Sequence, residues 1–254
     1  MPKYDQDIIQ ANDFVTALRL LTRLPVRGKP ELSRGAQAAW AYPLVGALVG
    51  LIAALVASVA LWLGLSPYLA AGLAVGTMII VTGALHEDGL ADSADGLWGG
   101  WDKDRRLEIM KDSRIGSYGV IALGLSLILR ITALGTVFGL GHVFAPLIVA
   151  SSLSRAGLPA MMSMMDPARS DGLSVSTGRP NARTAWTAVG IVAVLSLILA
   201  GGTGLLAAIA AALVTWTAAA IAIRKIGGQT GDILGAAQQL SELAVLMTLS
   251  VALA

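Results

Sequence analysis

The chain has 254 residues, 56% of them hydrophobic and 13% charged, with a net charge of +2 and a mean hydropathy of +0.73. A soluble domain carries roughly 25% charged residues, so the composition argues against a soluble enzyme and for a membrane protein. Cys is absent, which excludes disulfides, thiolate metal sites and cysteine nucleophiles.

The first ten residues, MPKYDQDIIQ, are polar and carry both signs, so no cleaved signal peptide is expected. DFVTALRLLTRLPVRGKP follows, with Phe14, Val15, Leu18, Leu21 and Leu24 at a helical period. Too short and too charged to span, it reads as an N-terminal amphipathic interfacial helix. Arg19 and Arg23 would face headgroups, and Pro25 with the Gly28–Pro30 stretch would end it. Ala36 to Leu85 then runs fifty residues without a charge. Gly64-Leu65-Ser66-Pro67 divides it into spans near 40–63 and 68–85. Trp40 and Trp62 would anchor the first at its two interfaces, about 33 Å apart along a helix.

Further apolar runs cover 117–140 and 143–165, joined at Gly139-Leu140-Gly141-His142. Thr184 to Ile223 divides at Gly201-Gly202-Thr203-Gly204 into a fifth and a sixth, and 234–254 is the last, interrupted by Glu242. A span needs about 20 apolar residues. The expected fold is therefore all-α: a polytopic membrane bundle of about seven spans in one domain, with the amphipathic helix at its N-terminus. Threading seven spans puts 16 of the 18 Lys and Arg on one side, with the N-terminus and residues 86–116, 166–183 and 224–233. By the positive-inside rule that side is cytoplasmic, so the N-terminus and the acidic segment are expected there. Arg130 and Arg155 lie within spans, where each either pairs with a carboxylate or backbone carbonyls or reaches an anionic substrate. Gly46/Gly50, Gly72/Gly76 and Gly135/Gly139 have small-xxx-small spacing and read as intramolecular packing.

Half of the chain's sixteen acids fall between Glu87 and Asp112, in HEDGLADSADGLWGGWDKDRRLEIMKDSRIGSYG. Asp88, Asp92 and Asp95, at i, i+4 and i+7, share one helix face. Either the face is solvated or a divalent cation offsets the repulsion, and Mg²⁺ suits oxygen ligands best. Glu87 is a further metal candidate, and His86 is either a general base or a structural hydrogen-bonding group. The segment's second half is basic. Lys103, Arg105 and Arg106 fit the topology rule, whereas Arg114, with Asp112 and Ser113 in KDSRIG, is a candidate for phosphate binding. Metal plus arginine at a membrane boundary points to phosphoryl transfer. No P-loop pattern is present, and two His do not make a zinc site. In GGQTGDILGAAQQLSELAVL, Thr230 is a candidate helix cap, Asp232 an acidic first-turn residue, and Glu242 an intramembrane acid.

Together these stretches resemble the cobalamin synthase, or adenosylcobinamide-GDP ribazoletransferase, family. The resemblance rests on FVTALRLLTRLPV, HEDGLADSADGLWGG and RRLEIMKDSRIGSYG. It continues through Ser154-Arg155, ARSDGL at 168–173, and GGQTGDILGA with Glu242. It implies a Mg²⁺-dependent integral membrane enzyme that joins adenosylcobinamide-GDP to α-ribazole or its 5′-phosphate and releases GMP. In that reading Asp88, Asp92 and Asp95 hold the metal on the pyrophosphate, and Asp95 takes the proton as the ribose 5′-hydroxyl attacks. Arg114, Arg155 and Arg23 would contact substrate, with Asp112 and Ser113 in its pocket and Asp232 and Glu242 either there or at a second metal site. The expected partners are the corrinoid, α-ribazole and membrane lipid, not nucleic acid. A second copy of the chain or other enzymes of corrinoid assembly are open partners. The alternatives are a CDP-alcohol-type phosphotransferase, whose Ala-Arg and downstream acid pair this sequence lacks, and a secondary transporter using Glu242, Arg130 and Arg155.

Overall fold

The structure, a computed structural model, describes residues 9–26 and 32–254. Gly28–Pro30, expected to end the first helix, lie outside them. The order is α1 (Ala11–Leu21), a 3₁₀ helix (Leu32–Ala41), α2 (Tyr42–Trp62), α3 (Pro67–Thr82), α4 (Leu85–Gly99) and α5 (Lys103–Lys111). It continues with α6 (Ser117–Gly139), α7 (Phe144–Met164), α8 (Leu173–Thr177), α9 (Ala182–Ile226) and α10 (Gly231–Ala252). The chain is an all-α membrane protein.

Each predicted run became helix, but the expected seven crossings are not all recovered. Judged by length and apolarity, four helices among the described residues can cross a membrane, or five if α3 and α4, bent by 90°, count as one. The shortfall has local causes. α3 has only 16 residues, α7 carries Arg155 and four serines, and α9 runs 45 residues through the expected division. That division survives as a kink: Gly201 has φ 55° and ψ −136°. A Cβ on Gly204 would meet the Ser196 carbonyl, so the two halves fold back on each other. Eight residues of straight helix would hold those positions about 12 Å apart.

The bundle's outer surface is apolar. Leu55, Ile80, Ile121, Leu125, Ile128, Ile198, Ile209 and Leu213 are all exposed. Such a continuous apolar surface belongs against lipid. Inside, α2 packs on α7 where Gly46 and Gly50 meet the Ser151 and Leu147 carbonyls. This pair is the close helix crossing expected from its spacing. Gly72, Gly76 and Gly139 meet nothing, and only Gly135 of the third pair packs, against the Tyr68 ring. Trp62 is exposed as an anchor would be, but Trp40 is not an interfacial residue. Its indole is buried and donates to Asp13 Oδ2 at 2.8 Å. Asp13 also takes Arg34 Nε and Nη2, each at 2.8 Å, and this pairing fixes α1 against the 3₁₀ helix. The buried carboxylate is held ionised, below the usual range, as those bonds outweigh its desolvation.

The bend between α3 and α4 decides where the acids go. Ser66 caps α3 and Pro67 opens it. Gly83 (φ 65°) and Ala84 (φ 57°) are both left-handed, and Ala84 is the only described residue other than glycine with positive φ. A side chain in that region is strained. The Arg23 side chain lies over Gly83, and its N–H donates to the Val81 carbonyl at 2.7 Å. Arg23 therefore braces the bend, which turns α4 inward against α10 and α6. Fifteen residues long and bearing four acids, α4 does not cross a membrane by itself.

Candidate active site

The acidic face divides between three partners, and glycines set the division. Gly89 of α4 and Gly235 of α10 cross backbone to backbone: a Cβ on Gly89 would stand 2.8 Å from the Asp232 carbonyl and 3.0 Å from Gly235 Cα. The crossing lays Asp88 and Asp92 beside Asp232, in the first turn of α10. Thr230 caps that turn as expected, accepting from Ile233 N–H at 3.2 Å, and donates to Asp232 Oδ2 at 3.2 Å. A short parallel bridge between Pro167 and Gln229 draws the 166–181 loop across the same end. Ala168 N–H donates to the Gln229 carbonyl at 2.8 Å, and Gln229 N–H to the Asp166 carbonyl at 2.9 Å. Gly228 has no side chain to obstruct that approach, since a Cβ there would strike the Asp166 carbonyl. The bridge delivers Arg169 to Asp232, Nη1 to Oδ2 at 3.2 Å. A chain of ion pairs continues outward through Asp171 (3.6 Å from Arg169) to Lys111 (2.7 Å from Asp171).

Asp92 shows what this convergence costs. Partial burial first, then the charges of Asp88, Asp232 and Asp95, push its carboxyl up from 3.8 to about 7, and Arg169 offsets only part. Among the described residues no three acidic or His side chains stand close enough to hold an ion unaided. A magnesium ion does not require such a cage, because it binds through one or two carboxylates, substrate phosphates and water. The half-open oxygen donors of Asp88, Asp92 and Asp232, mutually repelling and facing outward, fit that use.

Asp95 turns elsewhere. Its Oδ2 accepts from Gly116 N–H at 2.7 Å and its Oδ1 from Gly119 N–H at 2.9 Å. Both amides belong to the start of α6, where no side chain of the helix itself caps. A carboxylate there satisfies orphan donors and complements the dipole. The two glycines of RIGSYG follow from this, because a Cβ on either would collide with the Asp95 carboxylate. Both Asp95 oxygens thus engage the start of α6, at the residue expected to be a metal ligand and proton acceptor. Gly119→Ala is expected to cost about 1–3 kcal/mol, as an overpacked contact does. In an Asp95→Ser background that loss should shrink, read as a thermal midpoint in detergent.

Glu87 also leaves the metal face. Its Oε1 accepts from Arg130 Nη1 and Gln239 Nε2, both at 3.1 Å. Arg130 Nη2 reaches Glu242 Oε1 at 2.6 Å, and Gln238 Nε2 donates to Glu242 Oε2 at 2.8 Å and Ser154 Oγ at 2.9 Å. Arg155 Nη1 donates to the Ser151 carbonyl at 2.8 Å and lies 3.8 Å from Glu242 Oε2. Two arginines and two glutamates thus form a buried, formally neutral cluster among α4, α6, α7 and α10. Arg130, Arg155 and Glu242 are joined in ion pairs, the first of the two outcomes expected for arginines within spans. His86 is buried behind the acids, with no partner for Nε2. Desolvation and the Arg155 and Arg130 charges keep its imidazole neutral.

The DSR stretch is separate and exposed. Arg114 Nη2 pairs with Asp112 Oδ2 at 2.6 Å, and its own N–H donates to Asp112 Oδ1 at 3.1 Å, while Ser113 faces solvent. That local pairing draws the Asp112 carboxyl down to about 2. The arginine beside the acids is Arg169, which sequence reasoning did not single out although ARSDGL contains it. No periodicity marks a loop residue; the only signal was the Gly228 and Gly231 glycines facing that loop.

The family model of cobalamin-5-phosphate synthase matches residues 13–250. The chain is 49% identical over 238 residues to the adenosylcobinamide-GDP ribazoletransferase of Bradyrhizobium diazoefficiens, covering 92% of each chain. It is 44% identical over 243 residues to that of Mesorhizobium japonicum, covering 95% of this chain and 94% of the relative. With the enzyme of the same name from Azorhizobium caulinodans it shares 44% over 250 residues, 92% of this chain and 94% of the other. No solved structure matches. A helical membrane bundle with acids and an arginine gathered at one mouth, matched almost end to end by these transferases, belongs to the cobalamin-5-phosphate synthase family and is a transferase of cobalamin biosynthesis.

Proposed function

We propose that the chain transfers adenosylcobinamide phosphate from its GDP-activated form to α-ribazole or α-ribazole 5′-phosphate and releases GMP. The convergence of Asp88, Asp92, Asp232 and Arg169 at one half-open mouth carries this reading. The names of the relatives supply the substrates. Asp88 and Asp92, with Asp232, would hold Mg²⁺ there. When bound, the ion would neutralise charge on the pyrophosphate oxygens. Arg169 supplies a planar fork for phosphate oxygens at the same place, taking the part first expected of Arg114 and Arg155.

The attacking group is a secondary ribose hydroxyl. The 5′-hydroxyl expected from the sequence cannot serve both acceptors, since one of them carries phosphate on that oxygen. The hydroxyl oxygen bonds to the phosphorus nearer the corrinoid, and the bond from that phosphorus to the GMP oxygen breaks. The hydroxyl proton passes to a carboxylate of the cluster that the ion leaves free. The charged mouth lies on the basic, cytoplasmic side of an inner-membrane protein in this reading, where nucleotides are available.

Purified protein in detergent or liposomes, given the GDP-activated corrinoid, α-ribazole and Mg²⁺, should release GMP and form the nucleotide loop. Product from a CDP-activated alcohol, with none from the corrinoid, would refute the assignment. Arg169→Ala is expected to lower kcat/KM about 10²-fold or more, as loss of a charge-assisted donor does. Arg114→Ala should stay within a few-fold of wild type in the same assay, because Arg114 is exposed and paired locally.

A further inference from the structure

Behind the acids lies a cavity that the transfer chemistry above does not use. His86, Tyr42, Leu158, Met162, Leu173 and Leu234 are among its walls, and Gly231 and Gly235 form its edge toward the site. It therefore begins two residues from Asp88 on α4 and one from Asp232 on α10. Its walls are mostly apolar; Ser174 and Thr177 of α8 add hydroxyls, and Tyr42 and His86 lie deep inside. Tyr42 and His86 are 2% and 3% exposed. Neither Tyr42 Oη nor His86 Nε2 has a hydrogen-bond partner among the described residues. Buried polar atoms are rarely left so. Two at one cavity indicate a ligand that supplies the missing contact.

Size and polarity select that ligand. The cavity measures about 60 Å³ on a scale where one water needs roughly 10–15 Å³. It would therefore hold about four to six waters, or some 120–180 Å³ of liquid at about 30 Å³ each. That is the bulk of a fused two-ring heteroaromatic, and far too little for a corrin. Guanine, on the donor, presents a row of polar edge atoms that leucine and methionine walls cannot meet. A benzimidazole offers apolar faces and one free ring nitrogen. The position fits as well, because a base seated here holds its ribose next to Asp88 and Asp232.

Resting on the transfer reading above, we infer that this cavity binds the acceptor's base: a neutral, largely apolar two-ring heterocycle on ribose, with its ring nitrogen hydrogen-bonded by Tyr42 or His86. The Leu and Met walls then favour benzimidazoles over purines as the incoming base.

Two measurements on full-length protein in detergent test this. In steady-state GMP release, one of Tyr42→Phe and His86→Leu, whichever removes the donor to the ring nitrogen, should raise the KM for α-ribazole about tenfold, the loss of one hydrogen bond. The KM for the GDP-activated corrinoid should stay within about twofold. A merely structural role would move both constants or only the melting midpoint, and that result, or an α-ribazole KM unchanged in both variants, overturns the inference. The second measurement needs no substitution. α-Ribazole alone should slow amide exchange of wild type in α8 (173–177) and at 231–235, while the riboside of adenine does so far less. Equal protection by both, or none at these segments, also overturns it. Wild type that binds α-ribazole here yet releases no GMP would instead refute the transfer reading and leave the base site standing.

Discussion

Asp92→Asn lowers transfer about 10²- to 10³-fold, the scale of losing a group aimed at transition-state charge, and at the same time stabilises the metal-free protein. The two effects share one cause. Asp92 is pressed by Asp88, Asp232 and Asp95 until its carboxyl titrates at about 7. Removing its charge takes away a proposed Mg²⁺ ligand and also a repulsion. The pH dependence has a definite sign. A carboxyl whose folded value lies above its ordinary 3.8 takes up protons earlier in the folded state than in the unfolded one, so stability rises as pH falls through that window. In EDTA the thermal midpoint should climb between pH 8 and pH 5, and Asp92→Asn should flatten the climb at its upper level. Added Mg²⁺ should raise the wild-type midpoint at pH 8 and leave the variant nearly unmoved. An Asp92→Asn protein that kept full activity, or that melted below wild type in EDTA, would contradict the assignment.

Glu242→Gln has the largest expected effect on folding. Glu242 touches both buried arginines, at 2.6 Å and 3.8 Å, and is 1% exposed. Without it Arg130 retains Glu87, whereas Arg155 retains no carboxylate among its ion pairs. Breaking one side of a buried pair costs about 3–5 kcal/mol, because the charge left behind is uncompensated. Glu242→Gln combined with Arg155→Met restores formal neutrality and should recover much of the loss in a denaturant titration. If the double variant were as unstable as the sum of its singles, the cluster would not act as one electrostatic unit.

The sequence and the structure agree where a periodic or compositional signal existed. Apolar runs became helices, Gly201 broke α9, Gly46 and Gly50 seated α2 on α7, and Thr230 capped α10. Residues spaced i, i+4 and i+7 did share a helix, but one face is not one site. A helix of fifteen residues passes several neighbours, and each acid answers to the one it meets: Asp95 the start of α6, Glu87 a guanidinium, Asp88 and Asp92 the mouth. Spacing could not foresee this, because the deciding contacts come from residues 20 to 150 positions away. Arg114 misled for the same reason. Its nearest carboxylate in sequence, Asp112, became its partner, and the place beside the acids went to a loop arginine brought in by a single bridge.

The neutral cluster also constrains the order of assembly. α6 and α7 are made before α10, and each carries a guanidinium that lipid does not accommodate cheaply. Glu242, which touches both, arrives only with α10, and so does Asp232. Until α10 docks, α4 has neither its Gly235 crossing nor its third carboxylate at the mouth. Nascent chains lacking α10 should therefore hold Arg130 paired with Glu87 alone, Arg155 without Glu242, and an incomplete acidic mouth. The same late event that gives Arg155 its carboxylate also brings Asp232 to the mouth.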